Sequence, residues 1–149
     1  MKRPDKSTYF MWMAVVASTR STCNRRSVGC VIVDECGRVL ATGYNGSSPG
    51  DPHCDAVGHL MHKGSCVRTT HAETNAIGYA ARAGVPLNGS IAYITCHPCP
   101  NCLKLLIATG VNTVVYLEEY HREDDDVSSH LAGKHISLFH YKGPRPWDV

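Results

Sequence analysis

Two short motifs contain the side chains that could bind a metal ion and move a proton. The first holds His71 and Glu73, and the second holds Cys99 and Cys102 within a Pro-Cys-Pro-Asn-Cys run. Zinc prefers imidazole nitrogen and thiolate sulfur, and a catalytic zinc site keeps three protein ligands and an open position for water. We therefore predict that His71, Cys99 and Cys102 bind a catalytic zinc ion. Glu73 points away from His71 on a helix, which suits the acid and base of a hydrolysis rather than a metal ligand.

Two predicted helix starts would position these motifs. Pro98 precedes or opens a helix over residues 99–109, so both cysteines fall in or beside its first turn, and Gly110 ends it. The partial positive charge at a helix N-terminus stabilises thiolates. Thr70 is predicted to cap a second helix that begins at His71. The two helix starts would then meet at one ion.

The competing interpretation is a closed zinc site that only holds the fold together. In that case Cys96 or His97 would complete the metal shell. A Cys-x-x-Cys pair is common in such sites, but its combination with His-Ala-Glu is much rarer. Cys96 also follows the apolar run 91–95, so packing at a strand end explains it. We therefore favour the catalytic site.

Composition and charge limit the kind of protein. The chain has 149 residues, 43% hydrophobic content and a net charge of +2, which suit one domain over residues 1–149. Its compact basic cluster, Arg25 and Arg26, is offset by the acidic run 123–126. We therefore expect a small anionic ligand and no nucleic acid partner.

Membrane-spanning segments and export signals have recognisable sequence patterns. The sequence contains no run of about 18 apolar residues and no signal-like segment near its start. The expectation is a soluble, cytoplasmic protein without a membrane partner. Its eight cysteines are then expected to be reduced thiols, several of them for metal binding, rather than disulfides.

Hydrophobic periodicity predicts a chain of alternating strands and helices after residue 70. Such alternation favours parallel strand pairing and a layered α/β domain. Besides the helices that begin at residues 71 and 99, the predicted helices cover residues 9–19 and 124–132, and the predicted strands cover 28–33, 39–43, 91–95, 113–117 and 136–140.

Several motifs spread over residues 8–141 resemble one known family. They are Tyr9-Phe10-Met11, Ser27-Val28-Gly29, the Gly-Tyr-Asn-Gly-Ser run at 43–47 with Pro49-Gly50, the His-Ala-Glu-Thr-Asn-Ala-Ile run at 71–77, the 98–102 motif and Tyr120. The joined His-x-Glu and Pro-Cys-x-x-Cys pattern is the established signature of zinc nucleobase deaminases. The chain resembles the cytidine deaminase superfamily, and most closely the deoxycytidylate (dCMP) deaminases.

The resemblance implies a fold and a reaction. The implied fold has three layers, with a central mixed five-stranded sheet flanked by helices, usually assembled as a homohexamer. The implied reaction is hydrolysis of dCMP to dUMP and ammonia, which supplies dUMP for thymidylate synthesis. Glu73 would take a proton from water, pass it to the ring nitrogen and later protonate the departing ammonia.

The resemblance also implies where the substrate binds. The loop after residue 43 would cover the nucleotide, and Asn45 would hydrogen-bond its deoxyribose or base, although the Gly- and Pro-rich sequence alone suggests an ordinary turn. Arg26, together with Tyr120, is the candidate for the 5′-phosphate. A solvated surface arginine is the alternative for Arg26.

A second group of cysteines and histidines lies outside the catalytic motif. Some dCMP deaminases carry a structural zinc, and Cys23 and Cys54 match positions that bind it. Cys66 and His62, with His59 as the substitute for His62, would complete the shell. Such a metal would order the stretch 51–70, which has few apolar residues. A flexible histidine-rich loop is the alternative.

Regulation is a further implication of the resemblance. The family is activated by dCTP with Mg²⁺ and inhibited by dTTP, at a site near the Asn45 loop. Gly46 and Arg82 match positions linked to this site. For Arg82, a plain exposed helix residue is the alternative interpretation.

Three functions therefore compete. The first is deamination of dCMP, and the second is deamination of adenine or cytosine within RNA or DNA, as in tRNA adenosine deaminases, which uses the same zinc chemistry. The near-neutral charge and Asn45 weigh against the second. The third is a catalytically silent zinc module, which has no need of Glu73. We favour the first.

Overall fold

The computed structural model describes residues 2–120 and 125–148 of the chain. In chain order its elements are α1 (Lys6–Ser18), β1 (Gly29–Val33), β2 (Val39–Tyr44), β3 (Gly46–Ser47), α2 (Cys54–Val57), β4 (Met61–His62), β5 (Ser65–Cys66), β6 (Thr69–Thr70), α3 (Ala72–Ala83), β7 (Ile91–Cys96), α4 (Pro100–Ala108), β8 (Thr113–Glu118), α5 (Asp125–Leu131), β9 (Ser137–His140) and a 3₁₀ turn (Pro146–Asp148). Among the helices described, none has both the length and the apolar character to cross a membrane.

One five-stranded sheet organises the fold, in the order β2-β1-β7-β8-β9. β1 pairs with β2 and β7 in antiparallel fashion, whereas β7, β8 and β9 run parallel. The predicted mixed five-stranded sheet, with partly parallel pairing, is therefore confirmed. Two short antiparallel pairs, β3 with β6 and β4 with β5, lie outside it.

Helices cover both faces of the sheet because its central strands are apolar on both. In β1, Val31 and Val33 pack with Phe10 and Met11 of α1 on one face. The alternate residues, such as Ile32, pack under α3 and α4 on the other face. The arrangement is the predicted three layers, with α1 on one side and α3 and α4 on the other.

The helix boundaries differ slightly from those predicted. α1 begins at Lys6 because Asp5 caps it, and its Oδ1 accepts a hydrogen bond of 2.7 Å from the Thr8 N–H. This bond lowers the pKa of Asp5. Thr70 does not cap α3, since His71 occupies the cap position and the helix begins one residue later. The predicted first residue of the last helix, Asp124, lies outside the described residues.

The sequence did not predict the small elements between residues 46 and 70. Four of them are two-residue strands and the fifth, α2, has four residues. Elements this short leave no hydrophobic period in a sequence, and their apolar side chains, such as Leu60 and Val67, are exposed. The segment therefore contributes little to the hydrophobic core.

Gly43 lets β2 and α3 approach closely. A Cβ atom at this position would overlap the Ala72 carbonyl oxygen and lie 2.6 Å from the Ala76 nitrogen. These are backbone atoms of the first turns of α3, so they cannot move aside without moving the helix. Gly43 therefore sets the distance between the sheet and the helix that follows His71.

We expect Gly43→Ala to lower the free energy of unfolding by about 2 kcal/mol or more, because the added methyl group pushes α3 off the sheet. Gly78→Ala is the matched control on α3 itself, since a Cβ there meets nothing within 4 Å. It should raise stability by about 0.5–1 kcal/mol, because alanine is the better helix former. Urea denaturation measures both, and equal stability of the two variants would contradict this account.

Candidate metal and substrate site

The start of α3 and the start of α4 bring three metal-binding side chains together. His71 is the cap residue of α3, and Cys99 is the cap residue of α4, with Pro100 at its first position. His71 Nδ1 lies 3.3 Å from Cys102 Sγ and 3.6 Å from Cys99 Sγ. All three ligand atoms lie within 4.8 Å of one another.

The two thiols of this group cannot both ionise without a nearby cation. The Cys102 thiol, His71 and the Cys102 N–H hydrogen-bond to Cys99 and lower its pKa to about 3. The same bond to Cys99, together with burial and the charge of Glu73, raises the pKa of Cys102. A divalent cation removes this conflict, since it stabilises both thiolates at once. Two sulfur atoms and one imidazole nitrogen fit zinc.

Glu73 lies beside the metal-binding group but does not belong to it. Its side chain is buried, with 4% of its surface exposed. It lines a cavity of about 570 Å³ that His71 and Cys99 also line. Burial first, and then the charge of Glu73, raise the pKa of the Cys30 thiol. A carboxylate at this place can exchange protons with a molecule in the cavity.

Asn75 and Thr74 stabilise the start of α3. This role of the two residues was not predicted from the sequence. The Asn75 amide nitrogen donates to the Tyr44 carbonyl over 2.8 Å and approaches the Thr70 carbonyl at 3.4 Å. Thr74 Oγ1 lies 3.9 Å from Cys102 Sγ. Both residues belong to the same 71–77 motif as His71. Their position in that motif could have indicated that they support the site.

Asn45 holds the backbone around the cavity. Its Oδ1 accepts from the Val28 N–H over 2.8 Å, and its Nδ2 donates to the Arg26 carbonyl over 2.7 Å. Asn45 also lines the cavity. The structure thus gives this residue a part in positioning Arg26, in addition to the predicted contact with a nucleotide.

Arg26 and Tyr120 lie together in the same cavity, as the sequence analysis expected. The Arg26 guanidinium carbon lies 4.0 Å from the centroid of the Tyr120 ring. Its Nη1 donates to Cys96 Sγ over 2.8 Å. Cys96, the last residue of β7, is not part of either metal-binding group found among the described residues. Arginine and aromatic ring together form the basic part of the cavity.

Arg25 also lines this cavity, although only Arg26 was predicted to do so. Arg25 Nη2 donates to the Gly64 carbonyl over 3.2 Å and so contacts the loop between β4 and β5. The signal was present in the sequence, because both arginines form its compact basic cluster. The cavity therefore receives two positive charges from one dipeptide.

A second metal-binding group lies at one side of the cavity. It contains Cys23, Cys54, His59 and Cys66, whose ligand atoms lie within 4.8 Å of one another. Cys23 Sγ is 3.5 Å from His59 Nδ1, and Cys54 Sγ is 3.5 Å from Cys66 Sγ. Cys23 and Cys66 also line the cavity. The three predicted cysteines are thus brought together.

The histidine of this group is His59, so the first choice of His62 was wrong and its substitute takes the place. In the β4–β5 pair, Met61 is opposite Cys66 and His62 is opposite Ser65. Successive residues of a strand point to opposite faces. His62 therefore lies on the face away from Cys66, and it is exposed.

The thiols of the second group differ in their tendency to ionise. Burial raises the pKa of Cys54 to about 12, and its contacts with Cys66 and Cys23 add to this. Burial also opposes ionisation of Cys66, but hydrogen bonds from the backbone of Arg68 and Leu60 outweigh it and lower its pKa to about 6. As in the first group, several thiolates at this distance need a cation.

A further cavity of about 630 Å³ is lined in part by residues of the 43–47 run. Gly46, Asn75 and Tyr79 are among its lining residues. Arg82 does not line it but follows Tyr79 on α3, and its guanidinium lies 6.0 Å from the Tyr79 ring. Gly46 and Arg82 are thus placed at or beside one cavity that is separate from Glu73.

The sequence is similar to proteins from bacteria and yeast. The chain is 45% identical over 120 residues to ComE operon protein 2 of Bacillus subtilis, a match that covers 80% of this chain and 63% of that protein. It is 40% identical over 134 residues to the deoxycytidylate deaminase of Saccharomyces cerevisiae, covering 84% of this chain and 41% of that one. The chain thus spans less than two thirds of the length of these relatives.

Among solved structures, the dCMP deaminase of the cyanophage S-TIM5 in complex with dCMP and dUMP superposes with a TM-score of 0.78 at 30% identity. The match covers 95% of this chain and 100% of the phage protein. The family model for the cytidine and deoxycytidylate deaminase zinc-binding region matches residues 4–118. With its metal-binding group, its buried glutamate and this match over most of its length, the chain belongs to the cytidine and deoxycytidylate deaminase family.

Proposed function

We propose that this protein catalyses the hydrolysis of dCMP to dUMP and ammonia and thereby supplies dUMP for thymidylate synthesis. One observation supports the proposal above the others. A single cavity contains the group His71, Cys99 and Cys102, the buried Glu73, and the guanidinium of Arg26. The cavity therefore offers hydrolytic chemistry at one side and a positive charge for a phosphate at another. The relative from cyanophage S-TIM5 binds dCMP and dUMP.

The residues present have separate tasks in this reaction. His71, Cys99 and Cys102 would hold zinc, which would lower the pKa of a water molecule to about 7. Glu73 accepts a proton from the water that adds to C4 of the base and delivers it to N3. Glu73 then carries the second proton to the amino group, which leaves as ammonia. Water and dCMP are thus converted to dUMP and ammonia without any further reactant.

Arg26 supplies the recognition of the nucleotide. Its guanidinium can donate two parallel hydrogen bonds to phosphate oxygens, and such charged bonds are stronger than neutral ones. Tyr120 lies against one face of the guanidinium and so limits its orientation. Asn45 fixes the Arg26 backbone and remains the candidate for a contact with the deoxyribose or base.

The purified protein should convert dCMP, followed by the change in ultraviolet absorbance, faster than cytidine or a single-stranded oligonucleotide. We expect Glu73→Gln to lower kcat by about 10²–10⁴-fold, because the amide cannot carry protons. Its zinc content should stay that of the parent protein. Glu35→Gln, in the exposed turn between β1 and β2, is the control and should retain activity. Turnover of the oligonucleotide but not of dCMP would contradict the proposed substrate.

We further propose that Cys23, Cys54, Cys66 and His59 bind a structural zinc ion. Three sulfur atoms and one imidazole nitrogen form a closed tetrahedral shell, which leaves no position for water. The stretch that carries three of these residues exposes its larger apolar side chains. Metal binding therefore supplies the free energy that orders it.

Elemental analysis should find about two zinc ions per chain in the parent protein and about one in His59→Ala. The variant lacks the nitrogen ligand of the structural zinc site. His62→Ala is the matched control, because it removes an exposed histidine only three residues away. It should keep both ions. Loss of one ion in His62→Ala and none in His59→Ala would restore the other assignment.

The cavity beside Gly46 is proposed as the site of nucleotide effectors, with dCTP and Mg²⁺ as activator and dTTP as inhibitor. Gly46 lines it and Arg82 lies next to its Tyr79 wall. An arginine at this place can contact a triphosphate, which carries several negative charges. The homohexamer and the cytoplasmic location stay predictions from the sequence.

Reversal of the charge at this cavity tests the effector proposal. We expect Arg82→Glu to remove the response of the deamination rate to dCTP and dTTP, because the carboxylate repels their phosphates. Rates measured with and without each effector in the presence of Mg²⁺ give the response. Arg38→Glu makes the same charge change at an exposed hairpin position and should keep it. An unchanged response in Arg82→Glu would exclude this residue.

A further inference from the structure

A group of three side chains holds the residue that precedes Tyr120. We infer that Glu119, fixed by Tyr116 and His140, is a positioning residue that keeps Tyr120 against Arg26 and thereby sets the affinity for the nucleotide phosphate. The inference rests on the proposed function, since it assigns the phosphate to Arg26. None of these three residues lines the cavity that contains Glu73.

The Glu119 carboxylate receives two contacts through one oxygen. The Tyr116 hydroxyl donates to Oε1 over 2.8 Å, and His140 Nδ1 lies 3.3 Å from the same atom. Burial raises the pKa of Tyr116 to about 12, and the bond to Glu119 adds to this. The phenol therefore keeps its proton near neutral pH and remains a donor.

His140 links the carboxylate to the sheet. Its Nε2 lies 3.0 Å from the Leu117 carbonyl, which can only accept, so this nitrogen is the donor. Nδ1 faces the Glu119 carboxylate oxygen at 3.3 Å. The imidazole ring therefore lies between the Leu117 carbonyl and Glu119 and connects the carboxylate to β8.

Strand pairing brings these side chains together. Tyr116 of β8 is directly opposite His140 of β9 in the parallel register. The two rings stack with centroids 5.0 Å apart and planes inclined by 2°. The rings of His97 and Tyr116 make an edge contact, with centroids 4.7 Å apart and planes inclined by 72°. Two ring contacts therefore restrict the Tyr116 ring and the position of its hydroxyl.

Anchoring of Glu119 fixes the backbone from which Tyr120 projects. β8 ends at Glu118, whose carbonyl accepts from the His97 N–H over 2.8 Å. Beyond this point the side chain of Glu119 continues the attachment to the sheet. Tyr120 follows immediately, with 38% of its surface exposed, and lies over the Arg26 guanidinium.

The orientation of Arg26 depends on both sides of its contact. Its backbone is held by Asn45, and its Nη1 is bound to Cys96. Tyr120 supplies the flat face that keeps the guanidinium plane in place. When Glu119 is released, Tyr120 gains freedom and the guanidinium loses one of these restraints. Phosphate binding then weakens, whereas Glu73 and the metal-binding group are unaffected.

Glu119→Gln and His140→Phe are the test variants. The first removes the charge of the carboxylate, and the second keeps a ring next to Tyr116 but removes both ring nitrogens. Glu118→Gln is the matched control, since it makes the same charge change one residue earlier, where the side chain contacts Arg145 instead. Tyr116→Phe is a further variant that removes only the hydroxyl, should one of the others fail to fold. The measurements are kcat and KM for dCMP, inhibition constants of dUMP and deoxyuridine, and zinc content.

The expected result is a rise of about threefold to fivefold in KM for dCMP and in the inhibition constant of dUMP for both variants. The values of kcat, zinc content and the inhibition constant of deoxyuridine, which lacks the phosphate, should stay unchanged, as should every value for Glu118→Gln. An unchanged KM, or an equal loss for dUMP and deoxyuridine, would overturn the inference while leaving the proposed function intact. A parent protein that does not turn over dCMP would overturn the proposed function itself.

Discussion

The repulsion between thiolates held a few ångströms apart is the constraint on which the rest of this structure depends. Cys99 and Cys102 share one proton in the absence of a cation, because the thiolate of the first raises the pKa of the second. The positive ends of two helices reduce this repulsion, and a metal ion removes it. The starts of α3 and α4 bring these two sulfur atoms and the His71 imidazole within 4.8 Å of one another.

The sheet topology explains why the two helix starts meet. α3 leads into β7 by way of a loop, and the end of β7 leads directly into the run that caps α4. Ligands in open sheets with parallel strands bind outside the carboxyl ends of those strands. The end of β7 and the end of β8 lie side by side, so Cys96 and Tyr120 can both contact Arg26. The carboxyl ends of β7 and β8 therefore carry both the first metal-binding group and the basic part of the cavity.

Much of the fold and most of the candidate site could be predicted from the sequence. The strands of the large sheet differ from their predicted bounds by about one residue, since buried apolar runs are strong signals. The sequence could not show whether His59 or His62 lies with the three cysteines. A strand of two residues is too short to reveal from its hydrophobic pattern which face each side chain occupies. The contact of Tyr116 with His140 depends on a parallel register between β8 and β9, which no local pattern encodes.

The two metal-binding groups share a cavity, because Cys23 and Cys66 of one line the same space as His71 and Cys99 of the other. A nucleotide that occupied that space would contact residues of both groups. Thermodynamic reciprocity then applies: any factor by which a metal raises the affinity for the nucleotide is the factor by which the nucleotide raises the affinity for that metal. Where a metal in one of these groups raises the affinity for the nucleotide, bound nucleotide therefore lowers the fraction of that metal that a chelator removes at equilibrium.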